Sequence, residues 1–185
     1  KKDSAIYVVW RGTASYQDWI KDFKFEQTTC DYFRDHIKVE LGFSELYNDG
    51  QAVGKPAPRN ACLDALKKHD GIEDIVITGH SLGGAIAVLN ALDIAMSLNV
   101  SPRVLTIAGP RTGNIAFVDT YNQLVKDSWR VVNTKDKVPD TPERTYPGPF
   151  EDIVYQHVNN EHEITFGGSW DILDNHSLEN YMSHL

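Results

Sequence analysis

The chain has 185 residues, 41% of them hydrophobic and 24% charged, which is ordinary for a globular protein and enough for one sizeable core. A formal charge of -8 argues against nucleic acid or a strongly anionic membrane as partner, and is compatible with neutral or zwitterionic lipid and with soluble esters. No uncharged apolar run reaches the roughly 18 residues of a membrane-spanning helix; the nearest, 85–100, is interrupted by Asp93 and reads as a helix buried inside the fold.

The chain begins without Met or a signal-peptide pattern and almost directly on a strand, so it reads as a processed or trimmed piece. Its compartment is left undetermined, secretion and a peripheral place at lipid surfaces both being compatible. Residues 1–185 read as a single domain. Ala5–Trp10 is a strand ending at Arg11-Gly12-Thr13. Residues 14–25 interleave Trp19, Ile20, Phe23 and Phe25 with Asp18, Lys21, Asp22 and Lys24. Lys38–Leu41 is a short strand, and 54–58 is a break rich in Pro and Gly. Asn60–His69 is an amphipathic helix with Ala61, Leu63 or Cys62, Ala65 and Leu66 inward, ended by Asp70-Gly71. Strands and helices then alternate: Ile75–Thr78, Leu82–Leu98, Val104–Ala108, Ile115–Val125 and Arg130–Asn133. That βαβαβ rhythm predicts an α/β fold, a mostly parallel sheet with helices on both faces. Tyr155–Val158 and Glu163–Phe166 are candidate strands, and Leu178–His184 a last helix. Cys30 and Cys62 lack metal-type spacing; either they stay free thiols or one bridge staples the exit of residues 14–25 to the scaffold.

The chemistry concentrates in Thr78-Gly79-His80-Ser81-Leu82-Gly83-Gly84-Ala85, between a strand and a helix. Gly-x-Ser-x-Gly in that context is the nucleophile elbow of the α/β-hydrolases. The serine has to sit on a tight, strained turn to present its hydroxyl above the sheet, and side chains at Gly79 or Gly83 would crowd that turn. The following helix aims its first N–H groups at any oxyanion formed there. His80 points away from the hydroxyl and reads as structural support.

A serine hydroxyl needs a histidine base, and the base needs an acid to fix its tautomer. In this fold the order is Ser, acid, His. Asp136 lies just past the strand Arg130–Asn133 and is preferred to Asp140, and to Asp119 and Asp127, which lie on or beside a helix. Among the later histidines, His157 and His162 fall in or beside strand candidates and His184 at the extreme end. His176 lies in the loop 173–177 ahead of the last helix, which suits a base that must serve nucleophile and leaving group. The N–H of Leu82 and one from Arg11-Gly12-Thr13 are the candidate oxyanion donors.

Taken together, these residues resemble the class 3 lipases, the fungal-type triacylglycerol lipases. The similarity runs through Val9 to Thr13, Asp18 to Phe23, Gly42-Phe43, Thr78 to Ala85, Ala108 to Asn114, Val131 to Pro139 and His176 to Tyr181. It implies Ser81 as nucleophile, Asp136 as acid, His176 as base, and Thr13 and Leu82 as oxyanion donors. It also implies a lid within 14–25, with Trp19, Ile20 and Phe23 as its apolar cover and Asp22 as a partner for the Thr13 hydroxyl. The implied activity is cofactor-independent hydrolysis of acylglycerol esters at a lipid–water interface, with no metal. Phospholipase A1 and a soluble, feruloyl-type esterase are alternatives within the class; a non-catalytic lipid-sensing scaffold is the alternative outside it. Two departures stand out. Glu40 occupies a position where the family has His. The family also carries a helix and strands before the first strand seen here, and their absence would leave a sheet edge and part of the core uncovered.

Overall fold

The computed structural model describes residues 5–13, 25–49, 56–69, 74–158, 160–168 and 172–185. The elements, in chain order, are β1 (Ala5–Trp10), β2 (Gln27–Thr29), β3 (Lys38–Glu40), α1 (Leu41–Asn48), α2 (Pro58–Lys67), β4 (Asp74–His80) and α3 (Leu82–Leu98). They continue with β5 (Arg103–Ile107), α4 (Ile115–Leu124), β6 (Asp127–Asn133), β7 (Thr145–Tyr146), β8 (Ile153–Val154), β9 (Glu161–Ile164), α5 (Ile172–His176) and α6 (Leu178–Ser183). Trp19, Ile20, Asp22 and Phe23, and the Asp70-Gly71 stop, lie outside the described residues.

The main sheet runs β1-β4-β5-β6-β9, and all four pairings are parallel. Parallel neighbours require crossovers; helices supply those from β1 through β6, and the segment carrying β7 and β8 supplies the one from β6 to β9. Burial alternates in register along the strands. Ile75, Ile77, Val104, Thr106, Ser128 and Arg130 are buried, while Tyr7, Val9, Arg103, Leu105, Asp127 and Trp129 are exposed. α3 supplies most of the cover for the buried face: every residue from Leu82 to Ala95 is buried, so the apolar segment interrupted by Asp93 is an internal helix, as its composition predicts. On the opposite face, Ile107 and Val131 are covered at the carboxyl end of the sheet by Phe166 and by Tyr181 of α6. Further from that end, among the described residues, the row Val9–Thr78–Leu105–Trp129 stays at least partly exposed. Among the described residues, the two-faced cover expected of a parallel sheet is thus extensive on one face and confined to the carboxyl end on the other.

Several local expectations are corrected. Lys38–Leu41 ends as a strand at Glu40, where α1 begins; the Glu40 side chain caps that helix by accepting from the Phe43 N–H at 2.7 Å. In α2, Leu63 and Leu66 are buried but Ala61 and Ala65 face solvent, because the helix buries a narrow stripe. Residues 155–158 are not a strand; Gln156 makes only an isolated bridge to Gly113. Residues 172–176 are a one-turn helix, not a loop. Cys30 and Cys62 are free thiols. Cys30 is buried against the Ser44 hydroxyl and Cys62 faces Asn90, so the staple is not made.

Candidate active site

β4 delivers Ser81 to the carboxyl edge of the sheet. Its N–H donates to the Ile107 carbonyl at 3.0 Å, which continues the β4–β5 ladder one residue past the strand. There the chain reverses into α3 with Ser81 at φ 58° and ψ -131°, a left-handed conformation that costs a side-chain-bearing residue of order 1–3 kcal/mol. The flanking glycines make the reversal feasible. A Cβ on Gly79 would lie 2.1 Å from the Gly83 carbonyl oxygen, and one on Gly83 would lie 2.2 Å from the Trp10 carbonyl oxygen. The elbow is therefore squeezed between its own helix and the end of β1.

Ser81 is buried, and its Oγ is 2.7 Å from Nε2 of His176, which comes from the end of α5. Nδ1 of the same ring is 2.7 Å from Oδ2 of Asp136, which lies past the end of β6. A carboxylate only accepts, so Nδ1 carries the proton and Nε2 is the lone-pair nitrogen facing the hydroxyl. Asp136 is itself held from three sides. Oδ1 accepts from the Val138 N–H at 3.0 Å, Oδ2 also accepts from the Tyr181 hydroxyl at 2.9 Å, and the Asp136 N–H donates to the Asn133 carbonyl at 2.9 Å. The Tyr181 oxygen in turn accepts from the Asn133 N–H at 2.8 Å. Burial and the neighbouring Asp136 push the Tyr181 phenol up, so it stays a donor to the carboxylate.

The other candidates of the sequence lie elsewhere. His157 is half-buried with a ring nitrogen 2.7 Å from the Pro139 carbonyl, and desolvation, with Arg130 beside it, holds it well below the usual histidine range. His162 is exposed on β9, and His184 is exposed and stacked on Phe166. Asp140 pairs loosely with Lys137, while Asp119 and Asp127 are exposed. Leu82, buried at the head of α3, has one of the first N–H groups of that helix, which find no acceptor within the helix itself. Gly12, the residue before Thr13, packs on the elbow: a Cβ there would lie 2.8 Å from the His80 carbonyl oxygen and 3.4 Å from the Ser81 Cβ. The Trp10–Gly12 stretch thus passes over the serine turn.

Sequence reasoning missed three residues of this site. Asn133 accepts from the Lys135 and Phe166 N–H groups and donates through Nδ2 to the Asn175 carbonyl at 3.1 Å. The Asn175 amide donates to the carbonyls of Lys135 and Gly168, and Tyr181 anchors the acid as above. Their only signal was position, beside the acid and the base. Among the described residues no group of three or more His, Cys, Asp or Glu side chains converges to hold a metal, and no helix is long and apolar enough to cross a membrane.

The family described as lipase (class 3) matches residues 7–146. Phospholipase A1-Igamma2, chloroplastic, of Arabidopsis thaliana is 39% identical over 161 residues, covering 74% of this chain. The secreted mono- and diacylglycerol lipase 1 of Fusarium solani is 33% identical over 137 residues, covering 74% of this chain and 39% of its own length. A solved structure of the Rhizomucor miehei triacylglyceride lipase superposes with a TM-score of 0.69 at 30% identity, covering 89% of this chain and 58% of that one. The chain spans only 30% of the length of the Arabidopsis relative.

Proposed function

The chain belongs to the class 3 lipase family, and from that premise we propose that it is a serine carboxylic-ester hydrolase acting on acylglycerol esters through an acyl-enzyme on Ser81. The observation that carries the reading is the continuous line from Asp136 through His176 to the Ser81 hydroxyl, with 2.7 Å at each step. In the proposed cycle, His176 Nε2 takes the Ser81 proton as Oγ attacks the acyl carbonyl carbon. The oxyanion of the tetrahedral intermediate sits on the N–H groups of Leu82 and Thr13. His176 then returns the proton to the departing glycerol oxygen and leaves the acyl group on Ser81. Water deprotonated by His176 attacks the acyl-enzyme and releases the fatty acid. Asp136 holds the Nδ1–H tautomer and balances the imidazolium formed in both halves. Residues 1–185 act as one catalytic domain in this cycle.

Phospholipase A1 action is the second reading, because the 39% identical relative bears that name. A panel of dispersed triacylglycerol, diacylglycerol and phosphatidylcholine, beside p-nitrophenyl esters of rising chain length, separates the two. The acylglycerol reading expects release of fatty acid from the glycerides to exceed release from phosphatidylcholine, and the rate to rise once the substrate aggregates. Preference for the sn-1 ester of phosphatidylcholine over every glyceride would move the assignment to phospholipase A1. Turnover of short soluble esters alone would remove the lipid from it.

A further inference from the structure

His80 precedes the nucleophile, yet its side chain engages the base. Its Nε2 lies 2.8 Å from the backbone carbonyl oxygen of His176, so Nε2 carries the proton and donates. Its ring lies against the His176 ring, with centroids 4.7 Å apart and planes tilted by 34°, and Tyr181 meets it edge-on at 6.3 Å. The segment presenting the base is short, a single turn of α5 and the start of α6, and needs outside support. Two side chains grip consecutive carbonyls of it. Asn133, on the strand that leads to the acid, holds the carbonyl of Asn175. His80, on the strand that leads to the nucleophile, holds the carbonyl of His176.

We propose that His80 is a positioning residue, which registers the base against the nucleophile by tying the His176 backbone to β4 and by stacking an uncharged ring against the imidazole that becomes cationic during turnover. The proposal rests on the Ser81–His176–Asp136 reading above. The uncharged state follows from the surroundings. Burial, then the neighbouring His176, hold His80 down to about 4, against the opposing pull of the His176 carbonyl and of Asp136. The groups facing it are His176 from α5, Asp136 from the end of β6 and the Tyr181 ring from α6. At neutral pH, His80 therefore adds no second cation beside the imidazolium, and it still supplies a donor and a flat surface.

The test compares three folded proteins on a short soluble ester, on which lid movement is not limiting: wild type, His80→Phe and His80→Gln. Phe keeps a ring and deletes the donor; Gln places an amide N–H near the reach of imidazole Nε2. The expected result for His80→Phe is a kcat lowered by up to about 10²-fold with KM nearly unchanged, the scale of a catalytic group moved by about an ångström. His80→Gln should recover most of that loss, and a fluorophosphonate should label Ser81 in the same order of rates. If His80→Phe does not fold, His80→Asn, polar but too short to reach the carbonyl, replaces it. The proposal is overturned if the donor-less variant keeps kcat within about threefold of wild type, or if Gln restores nothing. Ser81→Ala is run alongside: if it still turns over, the triad reading itself has failed, whatever His80 does.

Discussion

Ser81 holds a left-handed backbone that only its neighbours' missing side chains permit, and it presents a hydroxyl to a histidine 95 residues away. Both facts were readable in the residues, because Gly-x-Ser-x-Gly between a strand and a helix encodes the turn, and strand-end logic narrows the later Asp and His. What holds the acid was not readable. Tyr181 reaches Asp136 across 45 residues by tertiary approach alone, which no local pattern records. Tyr181→Phe removes one donor from the carboxylate and leaves the imidazole bond, so kcat should fall by about three- to tenfold with the fold intact; steady-state kinetics beside a thermal melt checks this. Glu40 is the residue whose consequence the sequence hid, since only its departure from the family pattern was visible. Burial pushes its carboxyl up to about 7, against the N–H groups of Gly42 and Phe43 that favour the charged form. Folded Glu40 thus holds its proton more tightly than the unfolded chain does. Its contribution is complete below the ordinary glutamate range and is lost as pH rises through 7, by up to about 3 kcal/mol. Thermal midpoints measured from about pH 5 to about pH 8 should fall further for the wild type than for Glu40→Gln.

Among the elements, α3 carries the largest internal load and also the only charge in its interior. Asp93 is fully buried and accepts from Nε and Nη2 of Arg59 at 2.8 and 2.9 Å, from the Tyr47 hydroxyl at 2.9 Å and from the Ser97 hydroxyl at 2.7 Å. The sequence showed that this apolar segment was a buried helix despite Asp93, but not which residue would answer the charge, because Arg59 lies 34 positions earlier. Arg59→Ala should therefore destabilise strongly, by about 3–5 kcal/mol, by leaving a buried carboxylate without its cation; denaturant unfolding measures it, and a loss below about 1 kcal/mol would show that Tyr47 and Ser97 suffice. The elements that sequence reading misplaced share a cause. α1 contains Gly42, a poor helix former, and is started by a glutamate cap. α5 is a single turn that is held by Asn133, which donates to the Asn175 carbonyl, and by its own Asn175 side chain, which donates to the Lys135 carbonyl. Helices of that kind are written by their tertiary contacts and leave little periodicity to read.

At the scale of the whole molecule, the βαβαβ rhythm fixed the parallel sheet and its covered face, while the state of the other face depended on chain packing that periodicity does not report. Tyr7 and Val9 are 68% and 70% exposed, and Leu105 and Trp129 are 40% and 48% exposed, all on that face. A contiguous apolar surface in water favours self-association. The 185-residue chain by itself should bind a hydrophobic dye and self-associate as its concentration rises. Leu105→Lys with Trp129→Lys should reduce both while leaving turnover of a soluble ester unchanged, since neither side chain touches Ser81, His176 or Asp136. Light scattering and dye fluorescence across a concentration series would detect it; unchanged scattering in the double variant would show that this face does not drive association.

The claim on which the rest depends is that Ser81, activated by His176 and Asp136, is the nucleophile. Its most direct test is mass mapping of the chain after reaction with a fluorophosphonate, with ester turnover measured in parallel for Ser81→Ala. The account predicts a single adduct, on the peptide containing Ser81, and a kcat lowered by about 10⁴ or more in the alanine variant. An adduct on another residue, or an alanine variant that hydrolyses esters at the wild-type rate, would contradict it.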